Sequence, residues 1–218
     1  MKSLIICDHE QGSQEWLNSR LGVITASQAH ALLLNKRSKT PTYKEARESY
    51  MLQLINEVCT RQHDEINAKA LEWGKLNESS AIAAYEFESG NITQKISLVY
   101  NDDKKRAGAS ADFKLLDKNY GGECKCPING ENHLSFILNG TIKDEYITQM
   151  QFGMFCTGWD RWNFVSYNPR MPKKTVHYVT IERDEELMKY FADEIPKFCL
   201  EMDGKLKTLG SKFGDQWL

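Results

Sequence analysis

The stretch that most restricts the fold runs from Gly108 to Pro127 and reads G-A-S-A-D-F-K-L-L-D-K-N-Y-G-G-E-C-K-C-P. A lone acid, Asp112, follows small residues; a polar turn over Lys118 to Gly122 comes next; then Glu123 and Lys125 flank one cysteine. Side chains alternate along a strand, so Glu123 and Lys125 point to one face and Cys124 to the other. Two strands joined by that turn bring Asp112 beside Glu123, giving two hard oxygen ligands for a divalent cation with an ammonium next to them. Such a trio suits phosphodiester hydrolysis. The cation can take a phosphate oxygen and lower the pKa of a water, while the lysine orients that water or offsets charge on phosphorus. The same residues also fit ordinary surface charges on a hairpin. Two cysteines in so short a strand favour burial, and buried charges need mutual pairing or a metal.

The rest of the chain sets the frame. Its 218 residues and hydrophobic fraction of 41% suit a single domain over 1–218 with a substantial core. No apolar run approaches the roughly 20 residues that span a bilayer, and the start M-K-S-L-I-I-C-D lacks a secretory apolar region, so a cytoplasmic protein is expected. Cys7, Cys59, Cys124, Cys126, Cys156 and Cys199 lack paired C-x-x-C spacing, which predicts reduced thiols and argues against zinc or iron–sulfur ligation. A formal net charge of −2 gives no general support for nucleic-acid binding. Basic clusters at Lys36, Arg37 and Lys39, at Lys104 to Arg106, and at Lys173 and Lys174 fit either a solvated surface or a basic channel with an acidic exterior.

In chain order, Gly12 to Asn18 reads as a short helix with Ser13 as N-cap. Arg20 follows, then Thr25 and Ser27, either of which can cap a second helix over A-H-A-L-L-L. A helix N-terminus with two hydroxyls and a nearby arginine is a ready phosphate site, although such caps need no ligand. Helices are predicted from Thr42 to Val58 (stripe Tyr43, Ala46, Tyr50, Leu54, Val58) and from Ile66 to Glu88 (stripe Ala70, Trp73, Ile82, Tyr85). Glu78 lies off the second stripe, where a glutamate is ordinarily solvated. Ile92 to Tyr100 alternates as a strand; Thr141 to Gly158 suits a helix over a sheet; Trp162 to Tyr167 and Thr175 to Ile181 read as strands. A last helix runs from Arg183 towards Leu209, where Pro196 should kink or break it. The pattern is α/β, a central mixed sheet flanked by helices.

The D-(turn)-E-C-K order resembles the signature of the PD-(D/E)XK nuclease superfamily, with Ala111 where that name has proline. R-L-G-V-I-T-A-S from Arg20, W-G-K-L-N-E from Trp73, Y-I-T-Q-M-Q-F-G-M from Tyr146 and W-x-F-x-x-Y-x-P-R-M from Trp162, in this order, resemble the lambda-exonuclease-like YqaJ viral recombinase family.

The resemblance implies a restriction-endonuclease-like core and a Mg²⁺-dependent exonuclease, Mn²⁺ substituting, that degrades one strand of linear duplex DNA from its 5′ end and leaves a 3′ single strand. By resemblance Asp112, Glu123, the Cys124 backbone carbonyl and Glu78 hold metal, two ions being expected. Lys125 positions the attacking water with Gln149 beside it, and Tyr146, one turn earlier on the same face, approaches the site. Arg20, Thr25 and Ser27 form the pocket for the DNA 5′-phosphate, a role suited to the planar arginine fork. Family members also imply a homotrimeric ring on double-stranded DNA ends and a phage single-strand annealing protein as partner, in a bacterial cytoplasm. Two other readings stay open: a structure-specific endonuclease of the same fold, and a non-catalytic DNA-end-binding recombination scaffold.

Overall fold

The structure, a computed structural model, describes residues 3–33, 42–63 and 69–218. In chain order it runs β1 (Ile5–Ile6), α1 (Gln14–Ser19), β2 (Ile24–Thr25), a 3-10 helix (Ala26–Leu32), α2 (Thr42–Thr60) and α3 (Lys69–Ser89). There follow β3 (Thr93–Gln94), β4 (Val99–Tyr100), β5 (Ala107–Ala109), β6 (Phe113–Leu115) and β7 (Tyr120–Lys125). The chain closes with α4 (Gly130–Asn139), α5 (Asp144–Thr157), β8 (Arg161–Tyr167), β9 (Val176–Glu182), α6 (Glu185–Thr208) and a short 3-10 turn (Asp215–Trp217).

The α/β class with mixed pairing holds, but the strands divide into two sheets, ordered β1-β4-β5-β2 and β3-β6-β7-β8-β9. Each contains one parallel pair, β2 with β5 and β7 with β8. Helix α5 packs against both sheets, touching β4 and β5 of the first and β7 and β8 of the second. Its buried Met150, Phe152, Met154 and Cys156 supply apolar contacts on more than one side, as expected of a helix enclosed by neighbours.

The predicted strand Ile92 to Tyr100 is two strands. β3 joins β6 in one sheet, β4 joins β1 and β5 in the other, and the chain crosses between them at Lys95 to Leu98. Alternation continued through the crossing because Ile96 and Leu98 are both buried, but in different clusters: Ile96 against Ala111 and Trp162, Leu98 against Trp16 and Val23. Pro196 does not break the last helix. α6 is continuous through it, held by the buried stripe Phe191, Ile195, Phe198, Met202 and Leu206, whose burial outweighs one missing backbone bond. Asp184 caps its start, accepting from the Glu186 and Leu187 amides at 2.8 and 3.2 Å.

Tyr50, Leu54 and Val58 form the buried face of α2, whereas Ala46 is exposed. The predicted helix start at Ile66, the side chains of Tyr43 and Ala70, and the Lys36, Arg37 and Lys39 cluster lie outside the described residues. All six cysteines are free. Among the described residues no helix is long and apolar enough to cross a membrane.

Candidate active site

The β6–β7 hairpin builds the centre of the site. Phe113 pairs with Gly122 and Lys114 with Gly121, and the Asp112 amide extends the ladder by donating to the Gly122 carbonyl at 3.0 Å. Strand β7 begins at Tyr120, earlier than the expected turn to Gly122 allowed. Gly122 permits the close pairing, since a Cβ there would lie 2.0 Å from the Phe113 ring. The register sets Asp112 across from Glu123, where its Oδ2 accepts from the Cys124 amide at 2.6 Å. The Asp112 carboxylate is therefore aimed by backbone rather than by a flexible partner.

Alternation along β7 puts Glu123 and Lys125 on one face as expected, with Lys125 Nζ 2.7 Å from Glu123 Oε1. Glu123 is only 4% exposed. The ammonium also donates to Gln149 Oε1 at 3.1 Å and lies 4.6 Å from the centre of the Tyr146 ring. Gln149 and Tyr146 are three residues apart on α5 and so share a face. The structure thus brings Asp112, Glu123, Lys125, Gln149 and Tyr146 together. Cys124 points the other way, packing beside Tyr85, Phe113, Leu115 and Val165.

Glu78, half-buried on α3, completes a crowd of negative charge. Burial raises its pKa and repulsion from Glu123 adds to the rise. Asp112 is pushed well above the usual carboxylate range by burial and then by Glu123 and Glu78, against the opposing pull of the Cys124 amide and Lys125. Burial works against the Lys125 ammonium, but Glu123 and Asp112 outweigh it and its pKa is raised. Asp112, Glu123 and Glu78 thus set three carboxyl groups against one lysine, and they are hard oxygen donors of the kind Mg²⁺ takes. They fit a divalent cation by chemistry without forming a closed cage: among the described residues no three His, Cys, Asp or Glu side chains converge tightly enough to enclose a metal. Lys125 already occupies Glu123 Oε1, and the Cys124 amide occupies Asp112 Oδ2.

The second group sits where β2 meets β5. Arg20 follows α1 directly, its guanidinium stacked 4.4 Å over the Trp16 ring, with Nε buried and unpaired. Burial lowers its pKa, opposed by Tyr50 and Glu57. The Thr25 amide donates to the Tyr50 hydroxyl at 2.9 Å, and the Thr25 and Ser27 hydroxyls lie 3.5 Å apart. Thr25 takes the expected N-cap position, but the segment it opens is a 3-10 helix and its side chain makes no capping bond. Thr25 pairs with Gly108 in the parallel β2–β5 ladder, so the phosphate-type group and Asp112 are linked by Ala109, Ser110 and Ala111. Ser110, which sequence reasoning missed, has a buried hydroxyl with no hydrogen-bond partner. A serine two residues before Asp112 carries no spacing signal of its own.

The basic clusters behave differently from one another. Arg106 is tied to Asp203 at 2.8 Å and stacks 4.0 Å from the centre of the Phe213 ring, whereas Lys104, Lys105, Lys173 and Lys174 are exposed.

Residues 15–160 match the YqaJ-like viral recombinase domain. An alkaline exonuclease from Laribacter hongkongensis superposes with a TM-score of 0.80 at 34% identity, covering 91% of this chain and 96% of that one. The same enzyme in complex with dAMP gives 0.79 at 33% identity, covering 90% and 96%. A phage-related exonuclease from Haemophilus somnus shares the fold, with a TM-score of 0.66 at 14% identity, covering 86% and 96%. The protein ExoD of Escherichia coli is 42% identical over 86 residues, 38% of this chain and 99% of its own.

Proposed function

Because the chain belongs to the YqaJ-like viral recombinase family, we propose that it is a divalent-metal-dependent exonuclease that digests one strand of linear duplex DNA from the 5′ end, releasing mononucleotides and leaving 3′ single strands for recombination by annealing. The observation that carries this reading is Lys125, its ammonium held by Glu123 at 2.7 Å and Gln149 at 3.1 Å beside the carboxyl groups of Asp112 and Glu78. The relative crystallised with dAMP holds a mononucleotide, the kind of product such a reaction yields.

Asp112, Glu123 and Glu78, with the Cys124 carbonyl, would hold Mg²⁺ or Mn²⁺, and the family resemblance favours two ions. When bound, the cation supplies Lewis acidity towards the scissile phosphate and the attacking water. Lys125 does the rest of the electrostatic work. Its raised pKa keeps it protonated through the neutral range, so it can donate to the attacking water or to a phosphate oxygen. Glu123 and Gln149 limit where that donor points, and the Tyr146 ring face favours its charge. Arg20, Thr25 and Ser27 would hold the 5′-phosphate, with Arg20 Nε as a donor that has no other partner.

A ring of three subunits threaded on DNA, working beside a single-strand annealing protein in a bacterial cytoplasm, completes the reading. Plasmid digestion with Mg²⁺ tests the activity. Linear plasmid should be consumed and covalently closed circles left intact, with EDTA halting the reaction; cutting of the closed circle would instead identify a structure-specific endonuclease.

A further inference from the structure

The turn that presents Arg20 is pinned from outside at three points. The Arg20 amide donates to the Leu17 carbonyl at 3.0 Å, and that same carbonyl accepts from His63 Nε2 at 2.8 Å. Two residues past Arg20, the Gly22 amide donates to Glu57 Oε2 at 2.9 Å. Between them the Leu21 carbonyl accepts from Gln216 Nε2 at 3.1 Å. Gly22 has φ +69°, in the left-handed region, and a Cβ there would come within 2.5 Å of Val58 Cγ2. The turn therefore lies hard against α2 and has little room to shift.

Glu57 stands at the centre of these contacts. It is a carboxylate on α2 with only 3% exposure, an expensive group to bury unless its oxygens are satisfied. Three donors satisfy it: the Gly22 amide on Oε2, Gln53 Nε2 on Oε1 at 3.0 Å, and His63 Nδ1, 3.2 Å from Oε1. A carbonyl only accepts, so His63 carries a proton on Nε2. The carboxylate facing Nδ1 favours a second proton and raises the pKa of the ring, and in either protonation state the ring bridges Glu57 to Leu17. Glu57 and His63 thus grip the backbone on both sides of Arg20 without replacing its guanidinium as a ligand.

We propose that Glu57 and His63 are positioning residues for Arg20, and that by fixing its turn they set how strongly the protein prefers a 5′-phosphate over a 5′-hydroxyl DNA end. This rests on the reading of Arg20 as the phosphate ligand. A role confined to stability would weaken both end types alike, whereas a positioning role acts where the phosphate is present.

The test is equilibrium binding, by fluorescence anisotropy in EDTA, to one duplex bearing either a 5′-phosphate or a 5′-hydroxyl. Wild-type protein should favour the phosphate. Glu57→Ala should reduce that preference about tenfold, the scale of one charge-assisted hydrogen bond, while affinity for the hydroxyl end stays within about twofold. Glu57→Gln keeps an acceptor for the Gly22 amide and should retain more of the preference than Glu57→Ala. His63→Ala, at a partly exposed side chain, should lower the ratio severalfold. An unchanged ratio in folded Glu57→Ala or, should that variant not fold, in His63→Ala overturns the proposal, as does equal loss at both ends. Wild-type protein that binds the two ends equally overturns the Arg20 reading and this role with it. Absence of nuclease activity would leave the binding ratio, and this role, standing.

Discussion

Lys125 makes contact with Glu123, Gln149 and the Tyr146 ring at once, and the negative charge of Glu123 and then of Asp112 holds its ammonium protonated against burial. Replacing it by alanine should lower the cleavage rate by about a hundredfold or more, since on the proposed reading it removes a donor acting on the transition state. Gln149→Ala leaves the ammonium anchored by Glu123 and should cost about tenfold, the usual scale for a group that orients another. Single-turnover kinetics on a linear duplex separate these effects from binding, and near-wild-type rates for folded Lys125→Ala would remove it from the site. His63 gives a pH signature. The Glu57 hydrogen bond raises its pKa above the ordinary value of 6.5, against a lowering by burial. A raised folded-state pKa adds stability that is fully present below about pH 6.5 and lost as pH climbs through the folded value. The Tm deficit of His63→Ala should thus be larger at about pH 6 than at about pH 9; a deficit that grows with pH would show the ring to be neutral in the fold. Asp112, Glu123 and Lys125 were legible in the sequence because strand alternation and one turn place them. Glu57 was not, since its partner Gly22 is 35 residues away and no local spacing announces it.

At the scale of elements, the site depends on the tight β6–β7 hairpin, and Gly122 is where its tightness is tested. Gly122→Ala would drive a methyl to 2.0 Å from the Phe113 ring, itself 1% exposed. Overpacking of this kind should cost about 1–3 kcal/mol of unfolding free energy, read from urea denaturation, and should slow cleavage by moving Asp112 relative to Glu123. An unchanged urea midpoint would mean that the hairpin has slack. Most helices and the β8–β9 pair were readable from their apolar spacing, although β8 is buried on both faces and no residue of β9 is fully buried. The exceptions have physical reasons. Ile92 to Tyr100 alternates through a crossing between two sheets because both halves of it find a core. Pro196 costs α6 one backbone bond, but a long buried stripe holds the helix through it. The short segment after Thr25 winds as a 3-10 helix, a distinction that apolar spacing over so few residues does not make.

On the scale of the whole molecule, a formal net charge of −2 requires any DNA contact to be local. The exposed Lys104, Lys105, Lys173 and Lys174 are available for it, whereas Arg106 is occupied by Asp203. A closed ring of three chains would gather such lysines around a duplex without leaving unpaired interfaces. Light scattering at moderate salt should then give about three times the chain mass, and digestion should continue after excess unlabelled DNA is added. A monomer that releases its substrate after each cut would refute the ring and leave the chemistry at Asp112, Glu123 and Lys125 intact. That chemistry is tested most directly on a linear duplex with one strand labelled at its 5′ end or at its 3′ end, digested with Mg²⁺ by wild-type protein and by Asp112→Asn. The 5′ label should be released early as a mononucleotide and the 3′ label late, with no release by the variant; early loss of the 3′ label, or cleavage surviving in folded Asp112→Asn, would overturn this assignment of polarity and metal ligand.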